Sequence, residues 1–175
     1  MQYRKLGRTD MDVSVVCQGC WSIVGGFTWG EQDRSDSVAA LRAALDAGIN
    51  FFDTAEGYGD GESEELIAEA LGDARKDVVL ATKVSRGNLR PDALRAHCEQ
   101  SLRRLRTDVI DLYQIHWPNP EVPLADTLGA MRRLVEEGKV RALGVSNFGA
   151  RCLRDALELT RLESNQVAYS LLWRA

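Results

Sequence analysis

Six short apolar runs recur along the chain, and a stretch with helical periodicity follows each of the first five. The runs are nearly continuous in hydrophobicity and rich in β-branched and aromatic residues, which is typical of strands buried on both faces of a parallel sheet. We therefore predict strands at residues 13–18, 49–53, 77–83, 109–116, 140–147 and 165–169.

The segments between these runs predict five amphipathic helices, each with apolar side chains three and four positions apart. Gly48 ends the first helix, where glycine accommodates the left-handed turn. Pro91 and Pro123 begin the third and fourth helices, where a missing N–H costs nothing. The same spacing places Val135 of the fourth helix and Leu157 of the fifth on buried faces.

Alternating strands and helices predict an α/β fold with a parallel sheet. The strand-end residues Asp53, Lys83, His116 and Asn147 are 30, 33 and 31 positions apart. This regular unit favours a (β/α)8 TIM barrel over a doubly wound sheet. The opening segment predicts a β-hairpin with its turn around Gly7–Asp12, placed to plug one mouth of the barrel.

The number of elements is too small for a closed barrel. An eight-stranded barrel takes about 250 residues, whereas the 175 residues here supply about six strands and five helices. We interpret residues 1–175 as one partial barrel domain, a truncated chain or a piece completed by another copy. Open sheet edges pair readily with other chains, so self-association through them is expected.

Charge and hydropathy exclude several classes of protein. The net charge is −4 and the basic residues form no block, so nucleic acid is not an expected partner. The first ten residues contain no apolar run of the kind a secretory signal has. No stretch approaches the roughly 20 apolar residues of a membrane span. We expect a cytoplasmic protein that does not bind membranes.

Cysteines and clustered acids suggest metal sites only at first sight. Cys17 and Cys20 have C-x-x-C spacing, which occurs in redox and metal sites. A zinc site would need a second ligand pair, and the other two cysteines lie far apart. We therefore interpret Cys17 and Cys20 as small, semi-apolar residues in and just after a strand. The acids among residues 60–65 open a helix and complement its dipole, and the basic run at 103–106 is expected to be a solvated helix end. We expect no metal.

Four chemically different side chains are predicted to meet at one barrel mouth, because catalysis in such barrels lies at the carboxyl ends of the strands. Asp53, Lys83 and His116 end three strands, and Tyr58 lies on the loop after Asp53. A phenol is a weak acid unless a nearby cation such as Lys83 stabilises its phenolate. His116 is suited to orient a carbonyl oxygen. The group fits proton donation coupled to hydride transfer.

Aromatic side chains surround the same mouth. Trp21 and Trp29 follow the first strand, and Trp117 follows the fourth. They form either an apolar wall for a carbonyl substrate or a loop-to-loop packing contact, and both interpretations stay open. The second histidine, His97, lies among charged helical residues and is expected to be exposed.

Five separated motifs resemble the successive signatures of the aldo-keto reductases, from about Leu6 to the last residue. They are FFDTAEGYGDGESEELIAEAL, VLATKV, LRRLRTDVIDLYQIHWP, VRALGVSNF and NQVAYSLLWR. The resemblance implies hydride transfer from NAD(P)H to an aldehyde or ketone, with NADP as the cofactor and NAD as the second possibility. The GVSNF and NQVAYSLL wording is similar to the bacterial branch that also resembles potassium-channel β subunits.

The resemblance also implies roles for individual residues. Tyr58 would be the proton donor, Lys83 and Asp53 the pair that tunes it, and His116 the residue that orients the carbonyl. Cofactor contacts would come from Gly19, Cys20, Trp21 and Asp53 near the nicotinamide ribose, and from Ser146, Asn147 and Gln166 at the carboxamide. The substrate pocket would comprise Trp21, Trp29, Tyr58, His116 and Trp117.

Two alternatives to a reductase stay open. The resemblance implies that three parts of the site would lie beyond position 175. They are the adenosine 2′-phosphate site, the aromatic residue that stacks on the nicotinamide and the C-terminal loop of the pocket. A non-catalytic half-barrel remnant is therefore one alternative. A regulatory subunit that senses the cofactor's redox state is the other.

Overall fold

The computed structural model describes residues 1–173. Two short strands, β1 (Tyr3–Lys5) and β2 (Asp12–Ser14), form an antiparallel hairpin. The main sheet contains β3 (Gln18–Gly19), β4 (Phe51–Asp53), β5 (Val79–Val84), β6 (Ile110–Ile115), β7 (Val140–Ser146) and β8 (Ser164–Gln166). The helices are α1 (Arg34–Asp46), α2 (Glu62–Leu71), α3 (Pro91–Arg104), α4 (Leu124–Glu136) and α5 (Ala150–Leu159).

The six strands of the main sheet lie in chain order, and every neighbouring pair is parallel. Helices α1 to α5 each connect one strand to the next. This is the alternation that the apolar runs predicted, and it brings all the strand ends to one side of the sheet. No helix within residues 1–173 has the length and apolar content needed to cross a membrane.

The sheet curls into part of a barrel. Strands β4 and β8 are four places apart in the sheet, which in a flat sheet would separate them by about 19 Å. Yet the Gln166 side chain of β8 donates a hydrogen bond to the Asp53 carboxylate of β4 at 3.1 Å. Gln114 of β6 reaches the same carboxylate at 3.1 Å. These contacts require a concave interior, as in a partial (β/α)8 barrel.

Two apolar layers hold the sheet. The larger one packs the helices against the outer face, with Leu41, Leu66, Leu94 and Met131 among its fully buried members. The smaller one fills the barrel floor, where the hairpin covers the inward-facing strand residues as predicted. Its members are Leu6, Met11 and Val13 of the hairpin and Val79, Ala81, Leu112 and Ala142 of the strands.

The first and last predicted strands are wrong in extent. The run at 13–18 divides, because Val13 pairs within the hairpin whereas only Gln18 and Gly19 pair with β4. A continuous apolar run does not reveal that its two ends have different partners. Strand β8 ends at Gln166, and Val167 and Tyr169 beyond it are exposed.

Two side chains predicted to be buried lie at the surface. Val135 is 36% exposed and Leu157 is 50% exposed. Their helices contact the rest of the structure through narrower faces than the spacing suggested, with Leu134 and Ala156 at the buried positions. One step along a helix rotates a side chain by about 100°, enough to move it out of the contact.

Candidate active site

The four predicted catalytic side chains converge at the carboxyl ends of three adjacent strands. Asp53 is the last residue of β4, Lys83 lies one residue before the end of β5, and His116 follows β6 directly. Tyr58 begins a short 3₁₀ helix in the loop after Asp53. Parallel strands bring these ends together although up to 63 positions separate the residues in sequence, from Asp53 to His116.

Lys83 is the centre of the group and is only 1% exposed. Its Nζ donates to Asp53 Oδ1 at 2.6 Å, to the Thr54 carbonyl at 2.8 Å and to the Tyr58 hydroxyl at 3.4 Å. A buried ammonium is tolerated only when its protons are paired in this way. The lysine thereby connects the carboxylate to the phenol.

Asp53 accepts hydrogen bonds from three side chains that come from three other strands. Besides Lys83, Gln166 Nε2 donates to Oδ1 and Gln114 Nε2 donates to Oδ2, each at 3.1 Å. Gln114 also accepts from the Ser164 hydroxyl at 3.0 Å. Gln114 could not be recognised from the sequence, because an amide in the middle of an apolar strand gives no sign that it faces the barrel interior.

The ring of Tyr58 lies between two other rings. Trp21 stacks on one side at 5.9 Å between ring centroids, with an interplanar angle of 20°. His116 meets the ring edge-on at 5.6 Å. Burial raises the pKa of Tyr58, the charge and hydrogen bond of Lys83 lower it, and Asp53 raises it again. Lys83 therefore acts in the expected direction, but burial outweighs it and the net pKa lies above its ordinary value.

His116 is held in the neutral form. Burial lowers its pKa to about 4, and the charge of Lys83 adds to the effect, while Asp53 and Glu56 oppose it. Near neutral pH the imidazole therefore carries one N–H and one lone pair. It is suited to hydrogen-bond a neutral carbonyl oxygen without adding a charge to the site.

Ser146, Asn147 and Gln166 also lie together at the strand ends. The Ser146 hydroxyl donates to the Gln166 carbonyl at 3.0 Å, and Asn147 Nδ2 donates to the His116 carbonyl at 3.0 Å. Asn147 has a φ of 63°, a left-handed conformation that asparagine tolerates better than most residues. Polar groups from three strands thus border the same mouth.

The segment Gly19–Cys20–Trp21 passes directly beside Asp53. The Cys20 N–H donates to the Asp53 carbonyl at 2.9 Å, and the Cys20 side chain is completely buried. Burial raises the pKa of the Cys20 thiol, with Asp53 as the next contribution. This thiol fits the apolar interpretation of the C-x-x-C pair, since a buried, protonated thiol is unreactive.

Two of the three predicted pocket tryptophans meet at the site. Trp29 packs edge-on against Trp21 with ring centroids 5.6 Å apart, and Trp21 in turn stacks on Tyr58. Trp117 follows His116 and is 51% exposed. Within residues 1–173 no ring contact joins Trp117 to the other two tryptophans.

Several charged residues have more specific roles than predicted. His97 was expected to be exposed, but it is half-buried and its Nδ1 lies 2.8 Å from the Glu56 carboxylate. Glu64 does more than complement a helix dipole, since it is fully buried between Arg104 and Thr82. Arg104 is accordingly not a solvated helix end. These partners lie 18 to 41 positions away in sequence, where local patterns carry no signal.

The acidic residues of the described part of the chain do not converge on a site for a metal ion. Among residues 1–173 no group of three or more histidine, cysteine or acidic side chains is placed to hold a metal ion.

The curled parallel sheet thus brings a phenol, an imidazole and a buried lysine–carboxylate pair together at its strand ends. This is the end of the sheet where catalytic groups lie in barrel enzymes. Residues 16–175 match the sequence model of the aldo/keto reductase family. The aldo-keto reductase YhdN of Bacillus subtilis is 41% identical over 99% of this chain and 55% of its own length. The NADH-specific methylglyoxal reductase of Escherichia coli is 36% identical over 97% of the chain and 59% of its own.

Solved structures of aldo-keto reductases also match this chain. A thermostable aldo-keto reductase solved with the inhibitor epalrestat superposes with a TM-score of 0.90 at 42% identity, over 97% of this chain and 63% of that one. An aldo/keto reductase from Klebsiella pneumoniae, solved with NADP and acetate, gives 0.81 at 40% identity over 90% and 55%. The chain belongs to the aldo/keto reductase family. It spans about half the length of the curated relatives it matches.

Proposed function

We propose that this chain supplies the catalytic strand ends of an oxidoreductase that transfers a hydride from NAD(P)H to an aldehyde or ketone, with Tyr58 as the proton donor. The observation that carries the proposal is the contact between Lys83 Nζ and the Tyr58 hydroxyl at 3.4 Å, next to the 2.6 Å Lys83–Asp53 pair. A buried cation beside a phenol has a clear use when that phenol must release a proton.

The residues divide the acid chemistry among them. Because its pKa is raised, the Tyr58 phenol holds its proton near neutral pH and can give it to a carbonyl oxygen. Lys83 stabilises the phenolate that is left, and Asp53 keeps the ammonium in place. His116 faces Tyr58 edge-on and orients the oxygen through its N–H. The product is an alcohol.

A nicotinamide cofactor fits the neighbouring polar group. A carboxamide needs both donors and acceptors. Within residues 1–173 the amide oxygens of Asn147 and Gln166 accept no hydrogen bond, so both are free to receive the carboxamide N–H groups. When bound, the cofactor would supply the hydride. Ser146, Asn147 and Gln166 would hold its carboxamide, and Gly19, Cys20, Trp21 and Asp53 would border its ribose.

The ring assembly supports a substrate with an apolar part. Trp21 and Trp29 form a wall above Tyr58, half-exposed and therefore accessible. Trp117 lies next to His116 in sequence and would complete the pocket from the other side. Such a wall with a few polar groups at its base is typical of small-molecule sites.

The relatives support this reading over the alternatives. Those compared are named as reductases, one of them NADH-specific and one solved with NADP. We therefore propose NADP as the cofactor and keep NAD as the second choice. Among the described residues no contact favours a remnant without activity or a cofactor-sensing subunit.

The test is cofactor oxidation by the full-length product of the gene. We expect absorbance loss from NADPH, or from NADH, that depends on an added aromatic aldehyde such as benzaldehyde, with methylglyoxal as a second substrate. Formation of the alcohol in equal amount should accompany it. A folded protein that binds the cofactor but oxidises it with neither carbonyl would overturn the proposal.

A further inference from the structure

Glu56 is a buried carboxylate between two residues of the proposed site. It lies three positions after Asp53 and two before Tyr58, and its side chain is 5% exposed. Oε1 accepts from the Ser85 N–H at 2.6 Å and from Asn88 Nδ2 at 2.9 Å, and Oε2 lies 2.8 Å from His97 Nδ1. Burying a carboxylate is costly, and the three contacts offset that cost.

The chemistry of the contacts fixes their directions. A carboxylate only accepts hydrogen bonds, so His97 Nδ1 carries the proton that it donates to Glu56. That nitrogen therefore cannot also accept from Asn88, although the two side chains approach to 3.2 Å. Asn88 consequently donates to Glu56, and all three partners act as donors to one carboxylate.

These bonds tie the Tyr58 loop to the strand that carries Lys83. The Glu56 N–H donates to the Lys83 carbonyl at 3.2 Å, while its side chain holds the N–H of Ser85 two residues further on. The loop is thus fastened on both sides of the end of β5. His97 adds a third fastening point on α3.

The backbone on either side of Tyr58 is rich in glycine, while the Tyr58 ring itself lies between Trp21 and His116. Tyr58 lies between Gly57 and Gly59, and both Gly59 and Asp60 adopt positive φ, at 58° and 53°. Glycine-rich backbone is permissive and pays a larger entropic cost when it is ordered. The Lys83–Tyr58 contact of 3.4 Å is already at the long end of a hydrogen bond. A small loop displacement would break it.

We propose that Glu56, held by His97 and Asn88, is a positioning residue that fixes Tyr58 relative to Lys83. The inference rests on the function proposed above, but it concerns residues outside the four that carry the chemistry. Displacing a reacting group by about 1 Å costs on the order of 100-fold in rate. The loss of the hydrogen bonds that hold Glu56 should therefore lower kcat strongly.

The decisive comparison is between two His97 variants of the full-length gene product. Asparagine places an amide N–H close to the position of Nδ1, whereas leucine has a similar size and no donor. We expect His97→Leu and Glu56→Ala to lower kcat by about 10- to 100-fold, with the dissociation constant for NADPH changed less than about twofold. His97→Asn should restore most of the rate. Arg95→Ala, which removes exposed ion pairs from the same helix, should leave kcat unchanged.

Amide hydrogen exchange provides a readout that needs no turnover. Glu56→Ala and His97→Leu should exchange faster at the Ser85 N–H and across residues 55–61, while His97→Asn and Arg95→Ala should match the parent protein. Equal exchange and equal kcat in His97→Leu and the parent would overturn the positioning role. If the parent reduces no carbonyl, the proposed function fails, and the exchange pattern still decides whether Glu56 fixes the loop.

Discussion

At the scale of single residues, the pKa of Tyr58 depends mainly on burial and on the charges of two neighbours, Lys83 and Asp53. Burial and Asp53 raise its pKa, whereas Lys83 lowers it through both its charge and a 3.4 Å hydrogen bond. The phenol is therefore protonated near neutral pH but has a cation ready to stabilise its anion. Replacing Lys83 therefore tests this arrangement.

Replacing Lys83 with methionine should slow carbonyl reduction and should shift the loss of kcat at alkaline pH to higher pH. Without the ammonium the pKa of Tyr58 rises further, so the fall of kcat at high pH shifts to still higher pH. The rate itself should drop by about 100-fold or more, because the phenolate loses its stabilising charge. The measurement is kcat against pH with circular dichroism as a folding control; a limb that moves to lower pH would contradict the account.

His116 should contribute to the stability of the fold in a way that depends on pH. Its pKa falls from an ordinary 6.5 to about 4 in the folded chain. Between those values the unfolded chain binds a proton that the folded chain does not. The contribution is therefore fully present above pH 6.5 and is lost as the pH falls from there through about 4.

The variant His116→Asn removes the titrating group. Urea unfolding at several pH values should show a shallower loss of stability on the acid side for His116→Asn than for the parent protein. Identical slopes for the two proteins would mean that His116 is not held neutral in the folded state.

Sequence could predict the residues that end strands but not their supporting partners. Asp53, Lys83 and His116 were recognisable because polar groups at the ends of apolar runs converge in a barrel. Glu56 and Gln114 were not, because their partners lie 29 to 61 positions away and each has an ordinary local context. Contacts of that kind depend on how the sheet curls, which the periodicity does not specify.

At the scale of elements, the close approach of β6, β7 and β8 depends on one glycine. A Cβ at Gly144 would lie 2.5 Å from Ser164 Oγ and 3.1 Å from Gln114 Cγ. Those two side chains hydrogen-bond to each other, and Gln114 continues to Asp53. A side chain at position 144 would therefore push apart the groups that hold the Asp53 carboxylate.

Gly144→Ala should lower both stability and turnover. We expect a destabilisation of about 1–3 kcal/mol from overpacking and a reduced kcat through displacement of Asp53. The matched control is Gly129→Ala in α4, where a Cβ meets no atom within 4 Å and alanine should stabilise the helix by about 0.5–1 kcal/mol. Urea unfolding and kcat measure both effects, and equal results for the two variants would contradict this role of Gly144.

The helices and strands were predicted best where a whole apolar run forms a single element. The five helices and the four central strand positions follow from long apolar patterns. The first run was misassigned because its two halves pair with different elements, Val13 with the hairpin and Gly19 with β4. Val135 and Leu157 were misplaced because periodicity shows which residues share a helix face but not how much of that face is covered.

At the scale of the whole molecule, each edge strand of the sheet has a strand partner on one side only among the described residues. Within residues 1–173, β3 pairs only with β4 and β8 only with β7. Unpaired strand edges bind other edges readily. We therefore predict that a protein limited to these 175 residues self-associates. Sedimentation velocity over a range of concentrations should show species larger than 19.4 kDa, and a monomer at every concentration would contradict the prediction.

The central claim is that Tyr58 donates the proton, and a pair of tyrosine variants tests it most directly. Tyr113 is a second tyrosine, fully buried, whose hydroxyl has no hydrogen-bond partner within the described residues. Tyr113→Phe therefore makes the same chemical change, the loss of one hydroxyl, away from the proposed acid.

The measurement is the rate of NADPH oxidation by the full-length gene product with saturating benzaldehyde. The account predicts that Tyr58→Phe lowers the rate by about 100-fold or more while NADPH binding is retained, and that Tyr113→Phe keeps the parent rate. A Tyr58→Phe variant that reduces the aldehyde as fast as the parent protein would contradict it.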